Sequence, residues 1–171
     1  MLNKFYVILA LVLIVSGCSS KQAERYNNSK DDFSIKFPKE WENKEGFMGT
    51  DVISLSPREN AADQFRENVN VVVEKIPDGM SLNDYFDTNL PKLSKVIRDF
   101  QQVETGNTII NDNVAEWLIY TGSIGTINLK SKQYYIVHDN KGYVITCSAT
   151  PGTYDNFKNV FDEIVQSFQF K

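Results

Sequence analysis

The single histidine of this 171-residue sequence is the first side chain to consider as a general base or a metal ligand. His138 stands beside Asp139, and a histidine next to a carboxylate can ligate zinc or serve as a general base. A zinc site needs three or four ligands and catalysis needs an oriented group of side chains, and the sequence shows neither here. We interpret His138 as a solvated turn residue, which leaves a hydrolase that uses it as the least favoured of three function classes.

Other motifs are equally incomplete. Residues 122–125, GSIG, are one residue short of the G-x-S-x-G elbow and lie between strands, whereas that elbow needs a strand-to-helix turn. The sequence has no glycine-rich phosphate loop, no H-E-x-x-H and no C-x-x-C. Loop carboxylates that could form a weak calcium site read instead as solvated charges. They are Asp31 and Asp32 with Asp51, and Glu59 with Asp63. The sequence thus predicts no catalytic residue, no cofactor and no metal.

The N-terminus reads as an export signal. Lys4 provides a basic start, an apolar run follows over residues 5–15, and small residues precede Cys18. This run is much shorter than the ~20 residues of a transmembrane helix, so a cleaved signal over residues 1–17 is favoured. Residues 15–18, VSGC, resemble the lipobox of bacterial lipoproteins, which implies a thioether-linked diacylglycerol on Cys18. The alternative is an ordinary signal peptide that ends near a cysteine.

The net charge and the expected lipid on Cys18 together predict the location of the mature protein. Lys4 is the one charge within residues 1–17, so 17 basic and 22 acidic residues remain, a net charge of −5. Such an acidic chain without a basic stripe is unsuited to nucleic acid or to electrostatic binding of anionic lipid. The two acyl chains of a diacylglyceryl group suffice for stable anchoring. We expect a lipid-anchored protein on the extracytoplasmic face of the cell membrane or the outer membrane.

Cys147 is the second cysteine. With Cys18 committed to lipid, no intrachain disulfide can form, and export leaves an intermolecular bridge or a reactive thiol as alternatives. However, Cys147 alternates with Tyr143, Ile145 and Ala149 on what reads as the buried face of a strand. We therefore predict an inert core cysteine.

The rest of the chain predicts one domain of mixed structure. Residues 18–31 are polar and predict a flexible tether, and residues 32–171 predict a single domain. Period-two patterns and turn residues give the order β-β-β-α-β-β-β-β-α, with Ser81 capping the first helix and Pro91 kinking or dividing it. Strands joined by short turns imply an antiparallel sheet covered by two helices, an α+β sandwich.

The C-terminal third has the strongest pattern. A hairpin, residues 133–149, precedes a helix with an apolar stripe at helical spacing, and Thr150 and Pro151 predict its hydroxyl cap and first turn. We expect the stripe to pack on the sheet and Trp41 to close the rim of the core. The stripe consists of Tyr154, Phe157, Val160, Phe161, Ile164, Val165 and Phe168.

Two segments resemble a known family. Residues 32–41, DFSIKFPKEW, resemble the opening GFSLLVPSKW pattern of the PsbP family, named for an extrinsic subunit of photosystem II, and of PsbP-like lipoproteins. Residues 132–149 and 157–168 look like that family's last hairpin and helix. The resemblance implies an antiparallel sheet sandwiched by helices, a fold shared with a Ran-binding nuclear import factor and DcrB-type lipoproteins. The family's histidine-bearing middle segment has no counterpart here, so its metal ions and photosystem contacts are not expected.

The sequence therefore favours a non-enzymatic protein that is anchored through Cys18 and binds or helps assemble an envelope membrane partner. The alternative is a carrier for a small hydrophobic ligand held between sheet and helix. A well-formed apolar pocket would favour the carrier, and a filled core with an exposed apolar patch would favour docking.

Overall fold

The computed structural model describes residues 22–171, so Cys18 and the predicted export signal lie outside the described residues. The described chain contains ten strands and two α-helices. The strands are β1 (Ala23–Asn28), β2 (Phe33–Pro38), β3 (Glu42–Glu45), β4 (Val52–Leu55), β5 (Asn68–Lys75), β6 (Arg98–Ile110), β7 (Asn113–Ile124), β8 (Ile127–His138), β9 (Lys141–Ala149) and β10 (Gln169–Phe170). The helices are α1 (Leu82–Val96) and α2 (Tyr154–Gln166), and Phe47–Gly49 forms a short 3-10 turn.

Seven strands form the main sheet, in the order β3-β4-β5-β9-β8-β7-β6, and every neighbouring pair is antiparallel. Two-residue turns join β6 to β7 and β8 to β9. All four turn residues have positive φ, which asparagine and aspartate tolerate better than most residues. They are Asn111, Asp112, Asp139 and Asn140.

A second sheet, β1-β2-β10, contradicts the predicted flexible tether (residues 18–31) over the part of it that the structure describes, residues 22–31. Ala23–Asn28 is a strand that pairs with all six residues of β2. The segment is polar, but its backbone bonds are satisfied by β2, and Tyr26 packs on Phe33 and Phe37. Pairing with a distant strand therefore offsets an ordering cost that local composition could not. The short strands β3 and β10 were also missed, because their pairing partners define them.

The layers follow from strand alternation. One face of the main sheet packs on α2 and on the small sheet, and forms the largest core cluster. The opposite face packs on α1, where Tyr85, Tyr135 and Val144 form one cluster and Leu118 and Tyr120 belong to another. The predicted α+β class, with an antiparallel sheet between helices, is confirmed.

Helix α1 begins as predicted. The Ser81 hydroxyl accepts a hydrogen bond from the backbone N–H of Asp84 at 3.1 Å and donates one to its carboxylate at 2.6 Å. The helix continues through Pro91 to Val96, so no second helix begins at the proline. In the described part of the chain, neither helix has the length and hydrophobicity that a membrane crossing requires.

The start of α2 differs from the prediction. Thr153, not Thr150, occupies the cap position, and its hydroxyl does not cap the helix. That hydroxyl instead donates to the Glu67 carboxylate at 2.5 Å, and the Glu67 side chain is buried. The apolar stripe behaves as predicted, since Phe161, Ile164 and Val165 are buried in the main core.

Candidate functional site

The histidine region forms a stack rather than a catalytic group. The His138 ring lies 4.0 Å from the ring of Phe170, centroid to centroid, and is nearly parallel to it. Its Nε2 is 3.4 Å from the Asp139 carboxylate, and 40% of the side chain is exposed. Among residues 22–171 no second carboxylate or hydroxyl is hydrogen-bonded to this ring. This geometry does not favour the hydrolase hypothesis.

The remaining sequence candidates have structural roles. Ser123 lies within β7, where its hydroxyl contacts the backbone and side chain of Arg98, so residues 122–125 form no nucleophile elbow. Asp31 and Asp51 both lie beside Lys30, at 3.3 and 3.4 Å, and Asp31 also pairs with Lys141. No group of three potential metal ligands occurs within the described residues.

Cys147 is buried in the main core, as predicted. Burial raises the pKa of its thiol, and the carboxylate of Asp162 adds to the effect. The thiol therefore stays protonated at neutral pH, where a nucleophilic cysteine would need a lowered pKa.

A concave cleft lies between α2 and the outer half of the main sheet, and we call it the α2 cleft. It arises because α2 covers β9 and leaves the adjoining surface of β6, β7 and β8 open. Its volume is about 380 Å³. The lining residues are Glu104, Trp117, Ile119, Lys130, Lys132, Tyr134, Cys147, Tyr154, Asp155, Lys158, Phe161 and Asp162.

Trp117 forms the floor of the α2 cleft. Its indole lies flat against the backbone of Gly106, where an added Cβ would come within 2.6 Å of the ring. The Lys132 ammonium is 4.5 Å from the Trp117 ring and 4.9 Å from the Tyr134 ring. Both contacts are within cation–π range, so the two rings hold this cation on the floor.

Charges of both signs surround that floor. The Lys130 ammonium is 4.4 Å from the Tyr154 ring and 3.6 Å from the Asp155 carboxylate. The Tyr134 hydroxyl donates to Asp162 at 3.4 Å. Burial raises the pKa of Tyr134 and of Tyr154, so both hydroxyls remain protonated at neutral pH. The cleft thus offers hydrogen-bond donors, cations and carboxylates, but no poised base among these tyrosines.

Sequence reasoning missed this cleft, although a signal was present. Lys130 and Lys132 occupy the same face of β8 as the buried Tyr134 and Ile136. Charged residues at core-face positions indicate that nothing covers the face there. When β8 is treated as one alternating pattern, the pattern does not show that one part of this face is covered by α2 and another part is open.

The fold and the cleft can now be compared with known proteins. The family model described as PsbP-like protein matches residues 14–170. The chain belongs to the PsbP-like family, which confirms the resemblance inferred from the sequence. Comparison with curated protein sequences gives no match.

Solved structures share the fold. The cyanobacterial PsbP (CyanoP) of Synechocystis sp. PCC 6803 has 20% sequence identity and a TM-score of 0.65, with 91% of this chain and 96% of that chain covered. LpqN of Mycobacterium tuberculosis, described as involved in cell envelope biogenesis, has 12% identity and a TM-score of 0.65, with 88% and 91% covered. The Saccharomyces cerevisiae Ran-binding protein Mog1p has 9% identity and a TM-score of 0.57, with 88% and 96% covered.

Proposed function

We propose that this protein is a lipid-anchored, non-enzymatic binding protein on the extracytoplasmic side of a membrane. Its α2 cleft would receive a segment of an envelope protein and so help to assemble that partner. The predicted export signal, the family and the involvement of LpqN in cell envelope biogenesis support the location. The observation that carries the binding role is the α2 cleft itself.

The composition of the cleft favours a polypeptide over an apolar small molecule. Three lysines and three carboxylates line it, around an aromatic floor. A hydrocarbon-like ligand would remove these charges from water without replacing their hydrogen bonds, which costs free energy. A polypeptide segment can offer charges of both signs, amides and apolar side chains together. Aromatic residues at the centre of a polar rim are also typical of protein interfaces. The α2 cleft is therefore not the apolar pocket that the carrier alternative requires.

The groups in the cleft support a non-enzymatic role. The buried Cys147 thiol has a raised pKa, and so do the phenols of Tyr134 and Tyr154. None of the three is activated as a nucleophile or a base at neutral pH. His138, the one imidazole of the chain, stacks on Phe170 and does not line the cleft.

The start of strand β1 limits how far the domain can lie from the proposed lipid anchor. The strand begins at Ala23, five residues after Cys18. Five residue steps span at most about 18 Å, so an anchor at Cys18 would hold the domain close to the lipid headgroups. Replacing Cys18 by serine should release the chain into a soluble fraction or block its processing. Membrane retention of Cys18→Ser with the signal still removed would refute the lipoprotein assignment.

The binding role can be tested by photo-crosslinking in intact membranes. A benzophenone amino acid at Lys132 should give a discrete adduct with one envelope protein. The same label at Asn159, which is exposed on α2 and outside the cleft, serves as the matched control. Adding Trp117→Ala should abolish the Lys132 adduct, because it removes the floor of the cleft.

Two outcomes would contradict the proposal. Equal labelling from positions 132 and 159 would mean that the cleft has no specific occupant. An adduct at 132 that survives Trp117→Ala would mean that the cleft surface is not what binds. The melting temperature of Trp117→Ala must be measured alongside, so that loss of the adduct is not confused with loss of the fold.

A further inference from the structure

The outer edge of the main sheet is formed by a long strand with exposed apolar side chains. Strand β6 is the last strand of the sheet and runs for 13 residues, with no neighbour on its outer side within residues 22–171. Helix α1 packs on the beginning of β6, at Phe100, and leaves the rest of the strand uncovered. Thr105 and Asn107 are exposed, and Val103 and Ile109 are 57% and 64% exposed. Beside Ile109, its cross-strand partner Val114 is 61% exposed.

The opposite edge of the same sheet is protected in the usual way. Strand β3 has four residues, three of them charged, and Glu42 pairs with Lys44 and Arg66. Short, charged strands are a common defence against edge-to-edge pairing. Strand β6 has irregular register before Glu104, but from Thr105 to Ile110 it is regular and carries neither a charge nor a proline.

The β6–β7 turn fixes which backbone groups point outward. The two-residue turn makes Ile110 and Asn113 the hydrogen-bonded pair next to the loop, and such pairs alternate along an antiparallel ladder. By this alternation, Thr105, Asn107 and Ile109 direct their N–H and C=O groups away from β7. These backbone groups can therefore receive another strand; the Ile109 C=O, which accepts a hydrogen bond from the Gln166 side chain at 3.4 Å, has a second lone pair available for it.

We infer that the β6 edge pairs with the β6 edge of a second copy of this chain, antiparallel, about a two-fold axis at Asn107. Asn107 then faces its own equivalent, and Thr105 faces Ile109 of the second copy. All the outward groups of these three residues are satisfied at once.

The stretch is complementary to itself in charge and in shape. Along β6 the nearest ionisable residue is Glu104, which lies opposite Ile110 of the second copy, and Glu116, the β7 partner of Asn107, stays one strand further in. The two Glu104 residues are then about 20 Å apart, at ~3.3 Å per residue along the strands. A foreign strand would need a matching sequence, whereas a second copy supplies one by symmetry. Because the β3 edges are charged and short, the assembly closes at two copies.

The symmetry also agrees with anchoring. The two-fold axis of an antiparallel edge pair is perpendicular to the sheet, so both copies turn the face that carries α2 and β1 to the same side. Both N-termini can then reach one membrane. The edge is short compared with standard interfaces, so we expect a transient dimer that membrane confinement favours; in this respect only, the inference rests on the proposed anchor.

Cysteine crosslinking of the full-length chain in its membrane tests the pairing. Asn107→Cys, treated with a short bismaleimide, should give a homodimer adduct. Asn43→Cys on the β3 edge is the matched control and should give far less. The native Cys147 is buried and should not react. Thr105→Pro removes an outward N–H and leaves the β6–β7 ladder intact, so it should abolish the Asn107→Cys adduct.

Ile109→Lys is a second variant, because it changes the edge without altering the backbone, and it should also abolish the adduct. Absence of a homodimer adduct, equal adducts at positions 107 and 43, or an adduct with a different protein instead would each overturn the inference. Persistence of the adduct in both edge variants would overturn it as well. Membrane fractionation of the same samples reports anchoring separately, so a failed anchor is not mistaken for a failed edge.

Discussion

Replacing Phe161 by alanine should remove most of the margin of stability. Phe161 is 3% exposed and sits at the centre of an aromatic group on α2. Its ring is 6.4 Å from Trp41 in an edge-on arrangement, 5.9 Å from Phe157 and 6.2 Å from Tyr154. A buried Phe→Ala change typically costs about 3–5 kcal/mol through lost burial and the cavity left behind. Domains have only about 5–15 kcal/mol of stability in total.

Urea unfolding of residues 22–171 measures this directly. With an m-value of about 1.5 kcal/mol/M, the midpoint for Phe161→Ala should fall by about 2–3 M. The matched control is Lys158→Ala, an exposed position on the same helix, which should change the free energy of unfolding by less than about 0.5 kcal/mol. Near-equal effects of the two changes would refute our placement of the aromatic stripe in the core.

Three further outcomes are expected. Cys147 should react slowly with a thiol reagent at pH 8 and rapidly in urea, because burial raises the pKa of its thiol; fast labelling of the native domain would contradict this. Burial raises the pKa of Tyr143 to about 12, so the stability that this residue contributes is present below about pH 10 and is lost as the pH rises towards 12. The free energy of unfolding should therefore fall less steeply in this range for Tyr143→Phe, and identical pH profiles would exclude the effect. Gly142→Ala places a Cβ 2.2 Å from the Tyr85 ring and should destabilise by about 1–3 kcal/mol in urea melts, whereas Gly152→Ala meets nothing within 4 Å and should be mild; equal effects would show that the ring moves freely.

Local patterns were sufficient for much of the fold. The α2 stripe, the Ser81 cap and the Asn111–Asp112 turn each depend on residues close together in sequence, and each is present in the structure. Trp41 also packs at the core as predicted, against Phe157 and Phe161. For these features, helical or strand periodicity and turn chemistry contain the necessary information.

Local sequence patterns gave wrong predictions where a segment's stabilising contacts come from residues far away in the chain. Strand β1 looked like a tether because its stabilising contacts come from β2 and not from its own composition. Thr150 was predicted to cap α2, but Thr153 occupies the cap position and its hydroxyl donates instead to Glu67, 86 positions away. In both cases the residue that forms the contact lies far away in the sequence, and a local sequence pattern contains no information about it.

The candidate site shows the same division. By itself the sequence determined the family, the α+β class, the buried Cys147 and the absence of a recognisable catalytic motif, because these depend on residue types and short-range spacing. The tertiary structure alone decided that α2 stops short of the outer strands, so that Trp117 and Lys132 line an open cleft. It also decided that β6 ends the sheet, with no strand on its outer side among residues 22–171. How far a helix extends over a sheet, and which strand lies last, depend on strand order, and strand order is a property of the packed chain.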